Sequence, residues 1–176
     1  MRNRFTLTTF IFAMATLLSC STGKEETTPI ELQVYGDGLS TMYYGKQDVK
    51  LPDDWDFKAA AITARADSDK VRLFYTKMFV AGAVVPHGTA VLLIGKPDTT
   101  YTATLYSEEA SDEVPEEPIY NMLHGYDEKH MTEGEGTFYK LTDIGNGQHF
   151  YKMNKEGGPF EISAHKAYLV IPDKNK

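Results

Sequence analysis

With 176 residues, 18 lysines and arginines against 25 acids, and a formal net charge of −7, the chain is long enough for one domain. It is also too acidic, with no basic stripe, to follow a phosphate backbone, so nucleic acid is excluded as an expected partner. The single cysteine excludes an internal disulfide.

Met1-Arg2-Asn3-Arg4 opens the chain with two cations, and the run from Phe5 to Leu18 is apolar apart from threonines. That is the charged start and apolar middle of a signal peptide, shorter than the about 20 residues a spanning helix requires. Residues 1–19 are therefore expected to be removed. Leu17-Leu18-Ser19-Cys20 resembles the bacterial lipobox, which implies that the Cys20 thiol receives a diacylglycerol. A free cysteine beside an ordinary cleavage site is the plainer alternative. Each acyl methylene in the bilayer contributes about 0.8 kcal/mol and stable anchoring takes more than one chain, so a di- or triacylated Cys20 would hold the protein at a membrane. Lys24, Glu25 and Glu26 follow closely and resemble the surface-export signal of Bacteroidetes lipoproteins; a solvated tether would look similar. The address these resemblances imply is the outer membrane, facing the cell exterior.

Residues 20–31 are polar and carry Pro29, and are expected to be the lipidated cysteine and a flexible tether. A single β domain is expected over 32–176. Short runs rich in β-branched and aromatic residues predict strands at 60–65, 71–77, 90–94, 100–105, 137–142, 149–153 and 167–171. Asp67-Ser68-Asp69, Gly95-Lys96-Pro97-Asp98, Gly145-Asn146-Gly147 and Gly157-Gly158-Pro159 supply places to reverse the chain. Gly145-Asn146-Gly147 between two aromatic runs is the best hairpin signal. No stretch has the period of a confident helix. Ala90–Ile94 and Tyr168–Ile171 are continuously apolar, which predicts central strands covered on both faces.

Those two strands also resemble each other. Val85-Pro86-His87-Gly88-Thr89-Ala90-Val91-Leu92-Leu93-Ile94 aligns with Ile162-Ser163-Ala164-His165-Lys166-Ala167-Tyr168-Leu169-Val170-Ile171, and Phe74-Tyr75-Thr76-Lys77-Met78 upstream echoes Phe150-Tyr151-Lys152-Met153. The order predicts a duplication, with half-repeats at about 58–105 and 134–172, neither able to bury its apolar face alone. The expected fold class is all-β: a two-layer antiparallel sandwich, or partly closed barrel, of two pseudo-repeated halves.

Phe138-Tyr139-Lys140-Leu141, Phe150-Tyr151-Lys152-Met153 and Ile162-Ser163-Ala164-His165-Lys166-Ala167-Tyr168-Leu169 are similar to the C-terminal β module of many Bacteroidales secreted and surface proteins. Residues 85–93 and Asn121-Met122-Leu123-His124-Gly125 resemble its earlier segments. The resemblance covers about 58–172 and implies a noncatalytic β module on a Bacteroidales-type surface lipoprotein. Ser163 and His165 depart from the proline and glycine common in that family's last turn.

His87, His124, His130, His149 and His165 have no compact zinc spacing, and His87 and His165 fall in turns before equivalent strands. The acidic run 108–118 lacks the order of a calcium loop and reads as a solvated insertion. Gly-x-Ser-x-Gly and a phosphate-cradling glycine loop are absent. No catalysis, cofactor or metal is expected. Recognition, if present, is expected at Tyr35, Tyr43, Tyr44 and Trp55, which lie outside the duplicated strands; covering the core is the competing role for these rings. The expected function is a lipid-anchored surface binding or accessory module for a glycan or an envelope protein. Its alternatives are a subunit of an envelope or fimbria-like assembly and a small hydrolase.

Overall fold

Runs in which β-branched and aromatic residues cluster become strands, because such side chains pack well on a pleated surface. A computed structural model of the chain describes residues 27–67, 70–106, 119–145, 147–153 and 157–173. The signal peptide, Cys20, Lys24, Glu25, Glu26 and the acidic run 108–118 lie outside the described residues.

In chain order the strands are β1 (Thr27–Gln33), β2 (Leu39–Met42), β3 (Val49–Lys50), β4 (Lys58–Asp67), β5 (Lys70–Phe79), β6 (Val84–Val85) and β7 (Val91–Ile94). Then come β8 (Thr100–Tyr106), β9 (Leu123–Gly125), β10 (His130–Met131), β11 (Thr137–Asp143), β12 (Gln148–Lys152), β13 (Glu161–Ile162) and β14 (Ala167–Ile171). Among the described residues there is no helix, and every strand pairing is antiparallel. The fold is all-β.

Two four-stranded sheets have the same order. One runs β2-β7-β4-β5 and the other β9-β14-β11-β12, while the short pair β3–β6 of the first half recurs as β10–β13 in the second. The sequence match at 58–105 and 134–172 therefore understates the repeat, since each unit starts two strands earlier, at β2 and at β9. The expected hairpin is present, with Asp143 opposite Gln148.

The two sheets share a core. Ala60, Ile62, Ala64, Ala90 and Leu92 of the first pack with Leu123, Tyr139, Phe150, Ala167 and Leu169 of the second. Register makes Ala60 and Tyr139 equivalent, since Ala60 lies opposite Leu92 and Tyr139 opposite Leu169. A methyl group on one side thus leaves room for a ring from the other, as close packing demands. A further sheet, β1-β8-β3-β6, covers the outer face of the first, enclosing Val91, Leu93, Phe57 and Tyr101. The β10–β13 ribbon covers part of the second, enclosing Tyr168 and Val170 with Phe160. Strands β7 and β14 are accordingly buried on both faces: Val91 and Leu169 are 0% exposed.

One expectation is corrected here. Residues 27–31, assigned to the tether, belong to β1, whose Ile30 and Leu32 pack toward the core while Thr27–Gln33 pairs with β8. Pro29 does not prevent this because β1 is an edge strand, where a missing N–H goes unnoticed.

Polar groups also join the halves. Ile62 stays paired with Tyr75 of β5 across a bulge at Thr76, but on its other side the β4–β7 pairing ends at Ala60, leaving the Ile62 backbone to bond the second half. Its N–H donates to Asn121 Oδ1 (3.1 Å) and its carbonyl accepts from Met122 N–H (2.8 Å), while Asn121 Nδ2 donates to Ala90 O (2.6 Å). At the equivalent strand start of the second half, buried Thr41 Oγ1 accepts from Ala167 N–H (2.9 Å) and donates to Ala167 O (3.0 Å). Each β7-type strand is thus tied at its first alanine by a side chain of the other half.

Truncating Leu169 to alanine is expected to cost about 2–5 kcal/mol by opening a cavity in the shared core. Thr41→Val, close in shape, is expected to cost about 1–3 kcal/mol by leaving buried Ala167 groups unpaired. Urea unfolding of each variant measures both. A neutral Thr41→Val would show that the seam does not depend on this bond.

Candidate functional site

Three turns meet at one end of the first half. Tyr35 begins a turn closed by Gly38 N–H to Tyr35 O (2.7 Å), and Gly36 and Gly38 take the positive φ values (42° and 83°) that such a reversal requires. Loop 95–99 braces it: Asp98 Oδ1 accepts from Gly36 N–H (2.9 Å) and Gly95 N–H donates to Gly38 O (2.9 Å). The same loop holds the turn at 53–57, since Lys96 Nζ lies 2.8 Å from Asp56 Oδ2. Among the described residues that buried oxygen has no other hydrogen-bonding partner, and its bond to Lys96 raises the lysine's pKa above the usual value. Trp55, in this turn, is 83% exposed and Tyr35 is 44% exposed.

The other two candidate aromatics are placed differently. Tyr43 packs against the shared core, and Tyr44 packs against the first half's outer core and stacks on His165 with ring centres 4.3 Å apart. Burial, with Asp127 nearby, raises both phenol pKa values, keeping the rings neutral. Asp127 Oδ1 accepts from Gly45 N–H (2.7 Å) and lies 3.7 Å from His165 Nδ1, which is also 3.3 Å from Tyr43 O. These two rings are half-buried and close the seam. Tyr35 and Trp55 share an end of the molecule, and Tyr43 and Tyr44 support the junction of the halves.

His165 also resolves the departure noted in the last turn. The turns before β7 and β14 are closed alike, by Thr89 N–H to Pro86 O (3.2 Å) and Lys166 N–H to Ser163 O (3.3 Å). Gly88 has φ 70° and His165, at the corresponding place, φ 56°. A non-glycine residue in that region costs roughly 1–2 kcal/mol, which the stack on Tyr44 and the Asp127 contact offset.

Beside this turn a groove of about 220 Å³ follows the seam, lined in part by Tyr35, Ser40, Lys140, Gln148, Ser163 and Lys166. Half-buried Lys166 donates from Nζ to Ser40 Oγ (3.1 Å) and sits 5.8 Å from the centre of the Tyr35 ring. Burial lowers its pKa from the usual lysine value. Gln148 is buried, holding Leu39 N–H through Oε1 (3.1 Å) while its own N–H donates to Asp37 Oδ2 (2.7 Å).

The remaining histidines have local partners. His87 Nδ1 is 3.0 Å from Asp48 Oδ1, His130 Nε2 is 3.0 Å from Glu133 Oε1, and His149 meets Tyr151 edge-on. His124 lies near Tyr168, and burial lowers its pKa. Among the described residues no group of three or more His, Cys, Asp or Glu is placed to hold a metal ion.

No protein-family model, curated protein or solved structure matches the chain.

Lys166, Ser40 and Gln148 are the groove residues that sequence reasoning missed. The signal available was the alignment of the halves, which sets Lys166 against Thr89.

Because the folded-state pKa of Lys166 is depressed, the unfolded chain binds more protons between that value and 10.5, and stability rises with pH across this window. Below it, the cost of holding the charge out of water is fully present. Lys166→Met is expected to be more stable than wild type by about 1 kcal/mol at pH 7. That advantage should shrink as pH approaches 10.5, as measured by urea unfolding of both proteins at several pH values. A constant difference would mean that Lys166 titrates as a solvated lysine.

Proposed function

We propose that the chain is a noncatalytic binding module, held at the outer face of a cell by acyl chains on Cys20 and exported through the signal at Lys24, Glu25 and Glu26. Its contact surface is the loop end carrying Trp55 and Tyr35, and its ligand is a glycan. The observation that carries this reading is Trp55 at 83% exposure in a turn braced by the Asp56–Lys96 pair. An indole left in water forfeits about 1.5–3 kcal/mol of burial available to a large apolar side chain, and an aromatic face presented on a fixed turn suits stacking against a sugar ring. Asp53 and Asp54, both exposed beside it, can accept hydrogen bonds from hydroxyl groups.

A second reading, a subunit of an envelope assembly, has its own support. β5 is an edge strand of ten residues, with Phe74 48% and Tyr75 56% exposed. Such an edge can pair with a strand of another chain. Arg72 and Lys77 on the same strand oppose that pairing.

A glycan array probed with the protein is expected to enrich one sugar class, and Trp55→Ala to weaken that binding at least tenfold. An array without enrichment, together with concentration-dependent self-association in sedimentation, would replace the glycan reading with the assembly reading. For the anchor, Cys20→Ala is expected to move the protein from the membrane fraction to the soluble one; retention with membranes would remove the acyl anchor from the proposal.

A further inference from the structure

The duplication supplies an internal control for the seam groove. The turns preceding β7 and β14 have the same hydrogen bond and the same left-handed residue, and they deliver the following alanine into the same shared core. At the residue between turn and strand the first half has Thr89 and the second has Lys166. The turn therefore does not require a cation there. A threonine completes it without taking a charge out of water.

Lys166 is nonetheless withdrawn from solvent, and among the described residues no carboxylate forms an ion pair with it. Ser40 Oγ takes one of its three N–H donors and the Tyr35 ring lies 5.8 Å away. Withdrawing an ammonium from water is costly unless a charge of opposite sign or a set of acceptors replaces the water. The groove around it is also lined by exposed Lys140, whose Nζ lies 5.9 Å from the centre of the Phe160 ring and, among the described residues, forms no ion pair with a carboxylate. Two lysines lining one groove stand out in a chain of net charge −7.

We propose that this groove binds a small carboxylate-bearing ligand about one sugar ring in size. The carboxylate pairs with the Lys166 ammonium, Lys140 adds attraction from the rim, and the ring of the ligand lies along Tyr35. Size follows from the volume of about 220 Å³, below the roughly 300–1,000 Å³ of sites for drug-sized molecules. One carboxylate is enough to neutralise Lys166, the groove cation that is withdrawn from water, while exposed Lys140 at the rim keeps its own hydration. Lysine contributes a point charge on a flexible stem rather than a bidentate fork, which suits one carboxylate oxygen accompanied by neutral contacts from Ser163 and Tyr35. The inference stands on the groove and requires neither Trp55 nor the lipid.

Isothermal titration of the full chain in detergent with glucuronate, and with glucose as the neutral ring of similar size, tests it. Glucuronate is expected to bind saturably and glucose at least tenfold more weakly. Lys166→Thr, which installs the residue of the first half, is expected to fold and to weaken glucuronate at least tenfold; Lys140→Met is expected to weaken it two- to fivefold. Lys129→Met, which removes a surface charge paired with Glu161 through a 2.8 Å contact, is expected to leave binding unchanged. Thermal unfolding of Lys166→Thr at or above the wild-type midpoint shows that any loss of binding is not a loss of fold. Absence of glucuronate binding, equal binding of glucose, or full binding by folded Lys166→Thr would each overturn the proposal.

Discussion

Leu92 and Leu169 lie at equivalent positions in two sheets, and neither sheet can keep its own leucine from water. Each does so only by facing the other. That mutual burial governs the rest of the molecule, because a large buried aliphatic side chain contributes about 1.5–3 kcal/mol and the shared core gathers several of them. It also explains why the halves have diverged where they meet. Two identical inner faces would set ring against ring, whereas here one inner face carries Ala60 where the other carries Tyr139.

The outer layers follow from the same constraint. A strand at the centre of each sheet has apolar residues at consecutive positions, so its second face must be covered too. The first half is covered by β1-β8-β3-β6 and the second by the smaller β10–β13 ribbon, where Tyr168 supplies much of the bulk. The Tyr168 hydroxyl accepts from Glu133 N–H (3.2 Å) and donates to Glu133 O (3.0 Å), so the ring is buried without an unpaired polar atom. Burial raises its pKa well above that of a free phenol.

Approximate symmetry makes the departures from it informative. Glycine at position 88 becomes histidine at 165, and the added ring is used at once, stacked on Tyr44 and reaching Asp127. Threonine at position 89 becomes lysine at 166, and among the described residues its ammonium finds only a hydroxyl and a ring face. The first change strengthens the seam. The second takes a charge out of water and is the kind of local conflict that functional sites retain. Trp55 is a third such conflict, an apolar ring left 83% exposed in a turn that the Asp56–Lys96 pair braces.

Local chemistry was enough to read the longer strands, the hairpin at 143–148 and the two doubly buried strands, since each depends on residues adjacent in the chain: β-branched runs, a glycine pair, consecutive apolar positions. The duplication was legible in part for the same reason, through the echo of 85–94 in 162–171. Two-residue strands such as β3, β6, β10 and β13 carry no period, and β1 was concealed by Pro29, whose tolerance depends on where an edge falls. The division of the aromatics, Tyr43 and Tyr44 to the seam and Tyr35 and Trp55 to solvent, required knowing which turns lean on loop 95–99. The groove at Lys166 joins β2 to the turn before β14 across more than a hundred residues. The sequence by itself determined which segments must leave water, because that depends on side-chain chemistry. Only the tertiary structure decided which charge was left without a partner, because pairing is a property of distance in space.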